Sequence, residues 1–146
     1  MSWLDWDRLR ANADMLRFVQ GLIHFRRSHA PFRAGHFWTL PNSTDHAPLA
    51  WHGVNPLSPD WRLDSHSLAF SLHCAEHDDM VYVACNAFWE PLEFHLPQMA
   101  SGKQWHRVVD TNLPPPADLA ERGAEMPLSG ATYRVVPRSA IILLGR

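Results

Sequence analysis

The chain has 146 residues, 46% of them hydrophobic and 19% charged, with a net charge of −2 and a pI near 6.5. That is the length of one domain with ample material for a core, which excludes an intrinsically disordered chain. The balanced charge argues against nucleic acid as a partner. No apolar run approaches the roughly 18 residues of a membrane span, which argues against a membrane.

The chain opens with two tryptophans, Trp3 and Trp6, where frayed polar residues are the norm. No signal-peptide-like apolar stretch accompanies them. Asn12 or Asp14 is placed to cap a helix running to about Arg27. Met15, Phe18, Val19, Leu22, Ile23 and Phe25 recur at helical spacing and cover more than one stripe about 100° wide. Arg26 and Arg27 suit the negative end of the helix dipole, and Pro31 ends it. A sheet can cover one stripe. The rest, with Trp3 and Trp6, needs a larger body, or a homodimer when the chain is isolated.

Beyond the helix the period changes to two. Residues 36–40 and 49–52 read as short strands, the second ended by Gly53. Residues 67–97 read as three successive strands with antiparallel pairing. Leu68, Phe70 and Leu72 alternate in the first. Val81, Val83 and Cys85 alternate in the second. Leu92, Phe94 and Leu96 alternate in the third. The middle strand is apolar on both faces, so it should be central, with a second layer or a partner over its other side.

Residues 104–110 form a further strand, with Trp105 and Val109 expected on one side and Trp105 in the core. Residues 111–128 hold four prolines and read as a surface excursion. Residues 131–136 and 139–144 read as a hairpin across Pro137-Arg138. The fold expected is mainly β: a two-layer antiparallel β-sandwich preceded by one N-terminal α-helix. The division expected is 1–30 for the Trp-rich segment and helix, and 31–146 for the sandwich.

Cys74 and Cys85 lie on neighbouring strands. With a turn centred near Asp78, Cys74 faces a residue near Val83 rather than Cys85. That predicts two buried, reduced thiols and a cytoplasmic protein. His73, Cys74 and His77 form the densest group of metal-type ligands, but His73 and Cys74 point to opposite sheet faces and no second ligand pair lies nearby. No metal or cofactor is expected. No nucleophile elbow, phosphate loop or dinucleotide fingerprint is present in the sequence, and no pair of carboxyls is held as glycoside hydrolysis needs. Seven tryptophans are many for this length, and flat aromatic faces pack on the apolar faces of sugar rings.

Several stretches converge on one family: SWLDW, LRFVQGLIHFRRSHAPFR, AWHGV, SLAFSL, VYVACNAFWEPLEFHLP, WHRVVDT and YRVVPRSAIILL. Together they resemble the C-terminal end of bacterial glycogen debranching enzymes of the isoamylase type, within the α-amylase family. The resemblance implies that the helix corresponds to the last helix of a catalytic (β/α)8 barrel, and the remainder to the β-sandwich domain that follows. It implies a parent enzyme hydrolysing α-1,6 branch linkages, with its catalytic carboxyls upstream of anything present here. No catalytic residue is carried over, and no activity is expected of this chain alone. One departure is visible: Pro48-Leu49 stands where the family often has Asp-Ile before Trp-His-Gly. The candidate glucan-binding or interface residues are Trp3, Trp6, Trp51, His52 and Trp89, and the partners implied are the catalytic barrel and α-glucan. The alternative is a stand-alone module binding carbohydrate or protein.

Overall fold

A computed structural model describes residue 3, residues 5–33 and residues 49–146. The strand expected at 36–40 lies outside them. A short helix α1 (Arg8–Ala11) leads into α2 (Ala13–Ser28) and a 3₁₀ turn (Ala30–Arg33). Asn12 occupies the N-cap of α2, but its side chain donates back to the Arg8 carbonyl (2.9 Å) instead of capping. Asp14 sits in the first turn and Arg26 and Arg27 in the last, as the helix dipole favours.

Among the described residues eight strands follow: β1 (Leu49–His52), β2 (Ser67–Cys74), β3 (Asp79–Asn86), β4 (Leu92–His95), β5 (Trp105–Asp110), β6 (Met126–Pro127), β7 (Thr132–Val135) and β8 (Ser139–Gly145). Six of them form one sheet in the order β1-β2-β3-β8-β5-β6, and β4 pairs with β7 in a second. All pairings are antiparallel. β3 is central, as its two apolar faces demanded. Met80, Tyr82 and Ala84 face the small sheet, where Phe94, Leu96 and Val135 close the core. Val81 faces the other way, into a second cluster with Val108, Val109 and Leu144, covered by Phe18, Leu22 and Phe25 of α2. The molecule is therefore a sandwich with a helix laid on the outer face of its larger sheet. No helix among the described residues is long and apolar enough to cross a membrane.

Four local expectations are corrected. The third strand of the 67–97 stretch leaves the first two and joins the second sheet. Strands β7 and β8 do not pair as a hairpin. Arg138 turns with φ of 55°, and the buried Asn86 side chain donates to the Val135 and Val136 carbonyls (3.0 and 3.2 Å), so the chain crosses between sheets there. A bulge between Arg107 and Val109 rotates the strand, sending Trp105 to the inter-sheet core and Val109 to the helix side. Finally, a 3₁₀ turn (Ala75–His77) and a left-handed Asp78 set Cys74 opposite Asp79 and Cys85 opposite Leu68. Both cysteines are free, as expected, but Cys74 is half-buried and Cys85 exposed.

The helix end is tied to the central strand. His29 Nδ1 lies 2.9 Å from Asp79 Oδ1, and the Ala30 N–H donates to Asp79 Oδ2 (2.9 Å). The 111–128 excursion folds back as expected over the surface, adding β6 to the sheet edge. Its Leu119 presses against Gly21, where any β-carbon on the helix would collide with it.

Candidate functional site: the outward helix face and the exposed tryptophans

Helix α2 carries two apolar faces. Phe18, Leu22 and Phe25, at i, i+4 and i+7, lie on the sheet. Leu16, Val19 and Ile23, at i, i+3 and i+7, are exposed, turned by roughly 100–150° around an axis of 3.6 residues per turn. Met15, also exposed, lies between the two faces, and Leu9 of α1 is exposed as well. Trp3 is 90% exposed and Trp6 70%. Between Trp3 and Ile23 the chain thus leaves several large apolar side chains in water, more than scattered surface hydrophobics account for.

The remaining candidates part company. His52 is 2% exposed. The Leu57 N–H donates to its Nδ1 (2.8 Å), so its proton sits on Nε2, which donates to Ser71 Oγ (2.9 Å). His52 is a buried strut holding the 53–66 loop to β2 and offers nothing to a ligand. Trp51, its neighbour, projects to the opposite face by strand alternation and packs edge-on against Trp61 and Phe70. Trp51 is half-buried while Trp61 is exposed. Trp89 is 64% exposed and lies against Phe88, with ring centroids 4.0 Å apart, and edge-on to His66. The candidates thus fall on different elements: Trp3 and Trp6 in the segment before the helices, Trp51 on the sheet and Trp89 at the 86–92 turn.

Two recesses accompany these surfaces. A groove of about 720 Å³ runs between α2, β5 and the 111–128 segment, with Arg17, His24, Leu119 and Arg122 in its walls. A smaller cleft of about 360 Å³ is formed by Asn55, Asp60, Arg62, Asp64, His66 and Phe88 among others, the last two of which touch Trp89. Arg62 grips Asp60 through Nε and Nη2, both at 2.9 Å. That guanidinium and the Arg62 backbone N–H hold the Asp60 carboxyl down to about 2. The polar run Asp60, Arg62, Asp64 and His66 was visible in the sequence, but Phe88 arrives from a distant segment and nothing local announces the meeting. Among the described residues, no three His, Cys, Asp or Glu side chains converge as a metal site would require.

The family described as isoamylase, C-terminal, matches residues 36–144. An isoamylase from Flavobacterium sp is 30% identical over 99% of this chain and 20% of its own length. Isoamylase 3, chloroplastic, from Oryza sativa subsp. japonica is 33% identical over 94% of this chain and 16% of its own length. The chain thus spans a fifth or less of these relatives. In fold it is similar to pullulanase type I from Bacillus subtilis str. 168, with a TM-score of 0.65 at 19% identity, over 97% of this chain and 17% of that one.

Proposed function

Because the chain belongs to the isoamylase C-terminal domain family, we propose that it serves as the non-catalytic cap on the catalytic barrel of an enzyme that hydrolyses α-1,6 branch linkages in glycogen or related glucans. In this reading residues 1–30 belong to the barrel side of the boundary and residues 31–146 form the attached sandwich. The observation that carries it is the outward apolar face of α2. Leu16, Val19 and Ile23 form an apolar stripe left in water, and Trp3 and Trp6 ahead of it are exposed as well, which is what a surface built to be covered would show. The small share of each relative that the chain spans supports the same reading. Cytoplasmic residence is part of the proposal, and two free cysteines suit a reducing compartment.

Light scattering on the isolated chain tests the covered face. Expected is concentration-dependent self-association, with a two-fold pair as the simplest closed form. It should be abolished in a Leu16→Gln, Val19→Gln, Ile23→Gln variant that melts like the wild type. A wild type that stays monomeric at high concentration would contradict the idea of a face made for a partner. A second reading is favoured by Trp89. A large aromatic held in water away from the helix suits a carbohydrate contact made by the domain itself, as a stand-alone module would also make.

A further inference from the structure

We infer that the cleft between the 53–66 loop and the 86–92 turn is a subsite for short α-linked glucose oligomers, with Trp89 as its stacking platform. The site itself is read from geometry; the α-linkage rests on the debranching reading above.

The platform comes first. Trp89 is mostly exposed, yet its ring is packed against Phe88 (centroids 4.0 Å apart) and touches His66 edge-on, and those two rings also touch each other. Its turn is braced from below by Asn86, which is buried. Asn86 Nδ2 donates to the Glu90 carbonyl (2.9 Å), and its Oδ1 accepts from the Phe88 N–H (2.9 Å). The indole is therefore presented to water by a rigid support, which lowers the ordering cost of binding.

The cleft supplies what stacking lacks. A glucose ring has an apolar C–H face and a rim of hydroxyls that both donate and accept. Aromatic faces take the first, and planar carboxylate, guanidinium and amide groups take the second. Asp60, Arg62, Asp64, His66 and Asn55 surround a volume of about 360 Å³, which Trp89 adjoins through its contacts with His66 and Phe88. That is within the range of small-ligand sites. Arg62 is engaged with Asp60 through Nε and Nη2 and lies 3.9 Å from Asp64, so the pair is pre-oriented and Nη1 and the second carboxylate are left as hydrogen-bonding groups for hydroxyls. Two carboxylates stand against one guanidinium in the cleft, which disfavours an anion and leaves hydrogen-bonding groups suited to a neutral polyhydroxyl ligand.

The test is a titration of the chain with maltohexaose, followed by calorimetry and by NMR of the tryptophan indole N–H groups, with cellohexaose as the comparison. Expected is saturable binding with a dissociation constant on the order of 1 mM. The Trp89 signal should move, and cellohexaose should bind detectably more weakly. Trp89→Ala should weaken binding by about tenfold or more, and Trp6→Ala should leave it unchanged. Absence of saturable binding, equal binding of cellohexaose, or full binding by Trp89→Ala would overturn the subsite. If Trp89→Ala fails to fold, the wild-type Trp89 signal decides: a signal unmoved at saturation overturns the subsite equally. The helix variant with Gln at positions 16, 19 and 23 separates the two readings. Its loss of association with maltohexaose binding intact assigns each surface its own role. Failure of the titration alone leaves the cap standing.

Discussion

Arg17 Nη2 lies 2.5 Å from Asp118 Oδ1, a bond that spans 101 positions of the chain. With Leu119 seated on Gly21, it fixes α2 to the proline-rich 111–128 segment and so sets which helix face meets the sheet. Glycine inside a helix costs about 1 kcal/mol relative to alanine. The close approach of Leu119 gives that glycine its reason. Asp118 is buried, and Arg17 Nε has no partner among the described residues, so the guanidinium has little in reserve. Asp118→Ala should cost about 1–3 kcal/mol and lower the melting temperature by roughly 3–10 °C. A melt followed by circular dichroism checks this. A shift within about 1 °C would mean that the helix is held by its apolar contacts alone.

The chain has two tyrosines, Tyr82 and Tyr133, and the fold raises both. Burial pushes the Tyr82 phenol far above the ordinary value of about 10. Burial, and then the bond its hydroxyl donates to Asp110 (2.7 Å), push Tyr133 up to about 12. A folded value above the unfolded one favours the neutral phenol in the fold. The stability this confers is intact below pH ~10 and is lost as pH rises through about 12. Absorbance of phenolate should therefore be nearly absent from the native chain at pH ~10 and about half developed in the unfolded one. Equal titration of native and unfolded protein would contradict the burial of both rings.

Tyr82 also makes a prediction of opposite sign to most core changes. Its hydroxyl is buried without a hydrogen-bond partner among the described residues. Removing an unsatisfied polar atom while keeping the ring should be neutral or stabilising by up to about 1–2 kcal/mol. Tyr82→Phe should melt at or above the wild type in a thermal scan. A clear loss of stability would reveal a partner for that oxygen.

Asn86 joins the two sheets. Its amide donates to three carbonyls, of Glu90, Val135 and Val136, and its oxygen accepts from Phe88. Asn86→Ala strands several of these groups and should cost about 2–4 kcal/mol, at roughly 1–3 for each group left unpaired. Denaturant unfolding measures the loss. Weakened maltohexaose binding in the surviving folded fraction should accompany it, since the Trp89 turn loses its brace.

Much of this architecture was legible because it is local. The two-sided apolar pattern of Val81, Val83, Met80 and Tyr82 required coverage on both faces, and α2 and the small sheet supply it. The double apolar surface of α2 was equally plain from its spacing. What escaped depends on distant groups. The alternation in residues 131–136 and 139–144 looks like a hairpin until Asn86, some 50 positions away, draws the Val135 and Val136 carbonyls to itself. The Val108 bulge follows from pairing with β8, and the register at Cys74 from a 3₁₀ turn whose left-handed residue is Asp78, not glycine. His52, singled out beside Trp51, is a strut because Ser71 and Leu57 happen to flank it, which spacing alone does not reveal. The cleft beside Trp89 was missed for the same reason.

The covered-face reading meets its most direct test in reconstitution. The catalytic part of the Flavobacterium isoamylase, ended before the segment this chain matches, would be mixed with the chain and examined by sedimentation. A one-to-one complex is expected. It should be lost in Val19→Asp, which sets an uncompensated charge in the middle of the outward stripe. A chain that forms no complex, or one that binds equally well with Val19→Asp, would contradict the assignment of that helix face to the catalytic body.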